Sequence, residues 1–152
     1  TLGFHYRITD IQAALGYSQL KKLNKFIRKR HSIAKRYDKL ISKMENVSAI
    51  QVKTRDDSAH HLYPIKIDFD KIQISRNELM EKLRSYGIIT QVHYIPIPLQ
   101  PYYEYLGYNC KNLPNTLNHY FQILSLPIYP KLSNFKQRKV VRRLKKVLEN
   151  SY

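Results

Sequence analysis

The sequence predicts an α+β domain: a small mixed or antiparallel sheet with helices on one face, preceded by a long N-terminal helix. Three observations lead there. Thr9 and Gln12 form a Thr-x-x-Gln capping box, and apolar residues follow at Leu20, Leu23, Ile27, Ala34, Tyr37, Ile41 and Met44, at helical steps of three, four and seven. Short β-prone runs recur at 48–52, 61–69, 88–92 and 124–128. Between and after them lie further helical stripes, the last carrying Val140, Val141, Leu144, Val147 and Leu148.

Taken in order, the first helix starts near Asp10 and carries Lys21, Lys22, Lys25, Arg28, Lys29, Arg30, Lys35 and Arg36 largely on its polar surface. Gly16 weakens it by roughly 1 kcal/mol relative to Ala and marks a candidate kink or close contact. Residues 10–44 as one helix would extend on the order of 50 Å at ~1.5 Å per residue. A compact domain of this size has a radius of gyration of only about 15 Å. Such a helix outreaches its own domain and reads as a spine between domains or part of an oligomer interface. Residues 1–45 therefore form one unit, an interface loop and linking helix, and 46–152 a small α+β domain.

Ser48 to Val52 reads as a strand, and Arg55 to Ser58 as a polar turn. His61 to Phe69 alternates as a strand whose Pro64 suits an edge or bulge. Ser75 and Glu78 make a second capping box for a helix with Leu79, Met80 and Leu83 on its apolar face, and Gly87 is placed to stop it. Ile88 to Val92 is strongly β-prone, Pro96 to Pro101 reads as an extended loop, and a helix covers Asn115 to Gln122. Leu124 to Ile128 reads as a strand. Ser133 caps a final helix from Phe135 to about Leu148.

The chain has 152 residues, enough for one domain with a core, and 43% of them are hydrophobic, which argues against disorder. No apolar run is long enough for a bilayer-spanning helix and no signal-peptide pattern opens the chain, so a cytoplasmic location is expected. The lone cysteine, Cys110, has no partner for an internal disulfide and reads as an unreactive thiol in or near a loop. Twenty-seven Lys and Arg against eleven Asp and Glu give a net charge of +16. That field attracts phosphate, nucleic acid or anionic membrane. A lysine-rich composition, or an acidic remainder elsewhere in a longer protein, accounts for it equally well.

Four ordered blocks carry a resemblance that spans nearly the whole chain. Gly3-Phe4-His5-Tyr6-Arg7-Ile8-Thr9-Asp10-Ile11-Gln12-Ala13-Ala14-Leu15-Gly16 resembles the Gly-x-Asn-x-Arg-x-(Ser/Thr)-x-x-Gln-Ala-Ala-x-Gly segment of the sugar aminotransferases that use pyridoxal phosphate, the DegT/DnrJ/EryC1/StrS family. Ser58 to Pro64 resembles the strand opening that family's small domain. Gly87 to Pro96 is similar to its Gly-Ile-x-x-x-x-His-Tyr-x-Pro run, and Tyr105-Leu106-Gly107-Tyr108 continues the pattern. Ser125 to Pro130 resembles its Leu-Ser-Leu-Pro-(Met/Ile)-(Tyr/Phe)-Pro signature, read as a buried strand with a proline-fixed exit.

The resemblance implies the small C-terminal domain of fold-type I pyridoxal-phosphate-dependent transferases. It also implies a homodimer, an amino donor such as glutamate, and transfer to C4 of a UDP-4-keto-6-deoxy sugar. In the family, the Asn of the first block reaches the cofactor phosphate of the other subunit. His5 stands at that place, and its ring can donate a hydrogen bond in the same way; the alternative is a loop residue without a ligand. Arg7 either faces an anionic group or braces the loop. His93 and Tyr94 either place polar tips on the nucleotide sugar, or one packs inward while the other is solvated. Pro98 stands where the family commonly has His and offers no side-chain donor. The adjacent His60 and His61, if in a strand, point to opposite faces and do not share a metal ion.

Transamination needs a lysine to carry the cofactor and an acid on its ring nitrogen. In the family both precede the segment that opens this chain. The resemblance therefore implies the back part of an enzyme, separated from a large lysine-bearing domain and inactive alone. Two other classes compete. One is a basic nucleic-acid module, argued from charge and thirteen tyrosines, with the spread of basic residues against it. The other is a free-standing dimerisation domain built on the long helix.

Overall fold

A computed structural model describes residues 3–4, 6–50 and 57–150. Helix α1 (Asp10–Leu20) opens on the expected capping box: Thr9 Oγ1 accepts the Gln12 amide at 3.3 Å, and the Gln12 side chain accepts the Thr9 amide at 3.0 Å. The single helix expected over 10–44 is two. The ladder breaks at Lys21 and Lys22, where the Lys22 amide turns back to Gln19 at 2.9 Å, a three-residue step. Helix α2 (Leu23–Ile41) starts afresh without a side-chain cap. Gly16 is not the break; it sits inside α1 with open space around it.

The sheet has three strands in the order β1-β2-β3, both pairs antiparallel. β1 (Val47–Ala49) pairs Val47 with Ile67 of β2 (Tyr63–Ile67), and β2 pairs Tyr63 with Leu126 of β3 (Ile123–Leu126). The strand expected at 48–52 is shorter than read and begins one residue earlier, with 51 and 52 outside the described residues. The one expected at 61–69 is trimmed to β2, with a 3-10 turn at Phe69–Lys71 following.

Pro64 lies in the central strand, not at an edge. The Ser125 opposite it spends its amide and carbonyl on Gln91 at the other side, so the Pro64 nitrogen faces away from β3. It points toward the β1 side, past Ala49, where the β1 ladder has ended. A missing N–H is tolerated there.

Ile88 to Val92 is not a strand. It meets β3 at one bridge, Gln91 with Ser125, yet keeps the alternation of an extended chain: Ile88 and Thr90 are buried, Ile89 and Gln91 exposed. The Thr90 hydroxyl is buried and has no hydrogen-bond partner. Thr90→Val keeps the shape and removes that orphan, so it should raise unfolding free energy by about 1 kcal/mol; urea denaturation measures this, and a destabilised variant would show that the hydroxyl is satisfied.

Helix α3 (Arg76–Ser85) has the second expected capping box, and the Ser75 backbone and side chain hold the Glu78 carboxyl below its usual pKa. Gly87 follows at φ +73°, the left-handed stop that the sequence indicated. The stretch expected as an extended loop is instead a 3-10 turn, Ile97–Leu99, and a short helix α4 (Pro101–Tyr105), each with proline at its first turn, where the absent N–H costs nothing. Helix α5 (Pro114–Gln122) runs into β3, and α6 (Asn134–Glu149) is capped by Ser133.

One core forms between the sheet and three helices. Tyr63, Ile65, Ile67, Leu124 and Leu126 face Ile33, Ala34, Tyr37 and Ile41 of α2, Leu79 and Leu83 of α3, and the α6 stripe. Tyr37 stacks on Tyr63 at 4.7 Å and donates its hydroxyl to the Pro127 carbonyl at 2.9 Å. Burial, with the charge of Tyr129 adding to it, pushes the Tyr37 hydroxyl pKa above its usual value. Cys110 is buried in the irregular segment before α5, as read. No helix among the described residues is long and apolar enough to cross a membrane.

Candidate functional site

The site is built on the outer edge of β3. Ser125 and Gln91 exchange both main-chain hydrogen bonds, at 2.8 and 3.3 Å. This pins the segment that follows α3 to the sheet and delivers His93 two residues later. The His93 Nδ1 lies 2.9 Å from Ser125 Oγ, and the ring is half-buried. Tyr94 meets His93 edge-on at 4.7 Å and is 73% exposed. The peptide bond between them is cis. His93 is thus anchored to the sheet while Tyr94 reaches into solvent.

Beyond Tyr94 the chain turns through Pro96 into α4, whose Tyr102, Tyr103 and Tyr105 are exposed with Tyr108. Tyr103 makes edge contacts with Tyr102 and Tyr108 at 5.5 and 5.9 Å. Pro98 lies half-buried within the 3-10 turn. Arg7 is exposed on the lead segment into α1, between exposed Tyr6 and Ile8. His5 lies outside the described residues. No hydrogen bond among the described residues joins the Arg7 segment to His93 or Tyr94.

His60 and His61 are not in a strand. His60 is buried in the left-handed conformation at φ 45°, and His61 is exposed. No cluster of metal-ligating side chains occurs among the described residues.

Arg30, read from the sequence only as a surface charge, is the fastening point of this end of the molecule. Its Nη1 donates to the carbonyls of His60, His61 and Ile128 at 2.9, 3.0 and 3.2 Å, tying α2 to the loop before β2 and to the exit of β3. Burial lowers its pKa. Its position three residues after Ile27 and four before Ala34 puts it on the apolar face, a signal that was present in the sequence. Beside it, Leu23, Phe26, Ile27, Ala59 and Tyr129 line an open groove of about 580 Å³.

Much apolar surface is left in water. Phe4, Tyr6, Ile11, Leu15, Tyr17 and Leu20 on the N-terminal side are each more than 60% exposed, as are Tyr94, Ile97, Tyr102 and Tyr105 on the other. No residue of α1 is buried. Large exposed apolar patches on soluble proteins are typically interaction surfaces.

The chain belongs to the DegT/DnrJ/EryC1/StrS aminotransferase family, which matches residues 1–145. It is 40% identical over 141 residues to a UDP-4-amino-4,6-dideoxy-N-acetyl-beta-L-altrosamine transaminase of Campylobacter jejuni, covering 93% of this chain and 37% of that protein. Among solved structures it is similar to Helicobacter pylori PseC, an aminotransferase involved in pseudoaminic acid biosynthesis, with 30% identity and a TM-score of 0.89 over 99% of this chain and 40% of the other. It is also similar to Spr1654 of Streptococcus pneumoniae, solved in its PLP form, with 29% identity and a TM-score of 0.87 over 96% of this chain and 37% of the other. The chain spans about two fifths of the length of the curated relatives it matches.

The chain spans about two fifths of its relatives' length, so it can supply only part of a pyridoxal phosphate site. Every lysine among the described residues is exposed except Lys66, which is half-buried on the side of β2 away from the core, next to Asp68. Among the described residues of the lead segment, Arg7 alone brings a charge suited to the phosphate.

Proposed function

We propose that this chain is the C-terminal part of a pyridoxal-phosphate-dependent nucleotide-sugar aminotransferase. The parent moves an amino group, from glutamate, to C4 of a UDP-4-keto-6-deoxy-N-acetylhexosamine. The observation that carries this reading is the match to the C. jejuni transaminase, which covers 93% of this chain but 37% of that relative. The structural match to PseC points the same way. The relatives' remaining length has room for a cofactor-bearing lysine and its acid.

In this reading residues 1–45 supply an interface loop and linking helices, and 46–152 the small domain. The exposed apolar faces of α1 and α4 are covered by the large domain and by a second subunit of a cytoplasmic homodimer. When bound, the cofactor supplies an electron sink for breaking and making bonds to the amino-bearing carbon. This chain binds and orients. His5 and Arg7 address the cofactor phosphate and a neighbouring anionic group, and His93 and Tyr94 hold oxygens of the nucleotide sugar.

The test is turnover of a UDP-4-keto-6-deoxy sugar with glutamate, by the 152-residue chain and by the native gene product isolated from its own cells. The expected result is none for the chain alone, and turnover by a native product well above 152 residues in length. Turnover by the isolated chain, or an inactive longer product, would overturn the proposal.

A further inference from the structure

The geometry points to Ser125 as the residue that fixes the His93 ring in its Nε2–H form, so that His93 presents a hydrogen-bond donor to the nucleotide sugar. The role of the donor rests on the proposed function; the tautomer does not. Ser125 is 5% exposed in the middle of β3. Its amide and carbonyl are both committed to Gln91, which sets the direction of its side chain and, two residues along the opposing segment, the place of His93.

A serine hydroxyl has one proton to give and lone pairs to receive. The His93 Nδ1, at 2.9 Å, is the one hydrogen-bond partner of Ser125 Oγ among the described residues. If Nδ1 carried the ring proton, the buried hydroxyl would have to accept it, and its own proton would have no acceptor. Buried donors are seldom left so, because the loss of hydration is not repaid. If the hydroxyl donates to a bare Nδ1, both groups are satisfied and the ring proton sits on Nε2. A hydrogen bond at one imidazole nitrogen thus decides what the other offers.

The consequence is a choice of ligand atom. An Nε2–H matches an acceptor oxygen, such as a diphosphate, hydroxyl or carbonyl oxygen of a nucleotide sugar, and mismatches an N–H donor. Ser125 is therefore a positioning residue, acting through His93.

The imidazole nitrogens of the ¹⁵N-labelled chain report this directly by NMR. In the wild type, His93 should show a protonated Nε2 and a bare Nδ1 shifted by accepting a hydrogen bond. Ser125→Ala, which leaves the main-chain pair with Gln91 intact, should move Nδ1 to the position of an unbonded nitrogen and admit the second tautomer. Ser125→Thr should restore the wild-type pattern. A protonated Nδ1 in the wild type overturns the inference without any variant. So does a folded Ser125→Ala chain whose His93 signals are unchanged. UDP added to the native gene product separates the two levels: an Nε2 that ignores UDP while the tautomer is as stated sinks the substrate role alone.

Discussion

Leu124→Ala should lower the unfolding free energy by about 3 kcal/mol, among the largest losses any single substitution in this chain produces. Leu124 is fully buried, pairs opposite Ile65 in the sheet, and belongs to the cluster joining the sheet to α2, α3 and α6. Its truncation removes apolar burial and leaves a void that close-packed neighbours refill only in part. Typical domains are stable by only about 5–15 kcal/mol, and this chain leaves Ile11, Leu15, Tyr94 and Tyr105 largely in water, where they add little. The urea midpoint should fall with the slope unchanged. Leu15→Ala is the matched comparison: at 62% exposure on α1, it should change stability by no more than about 0.5 kcal/mol. Equal losses at the two positions would mean that α1 is covered in the isolated chain.

The elements that the sequence made legible are those whose signals are local. Both capping boxes, Thr9 with Gln12 and Ser75 with Glu78, depend on residues three apart, and both form. The α6 stripe has a strict helical period, and all five of its apolar residues are buried. The misread elements depended on distant partners. The break at Lys21 and Lys22 has no Gly or Pro to announce it; both residues suit a helix. The β-prone run at 88–92 became extended, as its residues prefer, but only Ser125 was available as a partner, and a ladder needs more than one rung. Pro64 argued for an edge, yet the central strand tolerates it because β1 is short.

The site divides the same way. His93 and Tyr94 were proposed from one motif and Arg7 from another. Ser125 was read as part of a buried strand, which it is, but its bond to His93 joins residues 32 apart. Arg30 reaches a carbonyl 98 residues away. Periodicity placed Arg30 on the inner face without naming what it would meet there. The charge of +16 did not choose among its possible sources, and of the thirteen tyrosines offered for base stacking Tyr102, Tyr103 and Tyr105 stand on α4, while Tyr63, on β2, is buried in the core.

Gln137→Ala should cost about 3 kcal/mol, more than its polar side chain would suggest. Gln137 is fully buried between α2 and α6. Its Nε2 donates to the Ile33 carbonyl at 2.7 Å, and its Oε1 accepts from Arg36 Nε at 2.8 Å. Arg36 in turn donates to Ser32 Oγ at 2.8 Å. The two helices run in the same direction here: Ile33 lies by Gln137, and Met44 shares a hollow with Leu148. Gln137 is the one polar member of an otherwise apolar stripe, so it fixes the register at which α6 meets α2. Gln137→Leu refills the volume but strands the Arg36 Nε, and should cost about 1–2 kcal/mol. In a double-mutant cycle, Arg36→Ala should remove about 1 kcal/mol of the Gln137→Leu loss, because the partner left unpaired is gone. Additive losses, or a Gln137→Leu chain more stable than the wild type, would show that the α2–α6 seam is held by apolar packing alone.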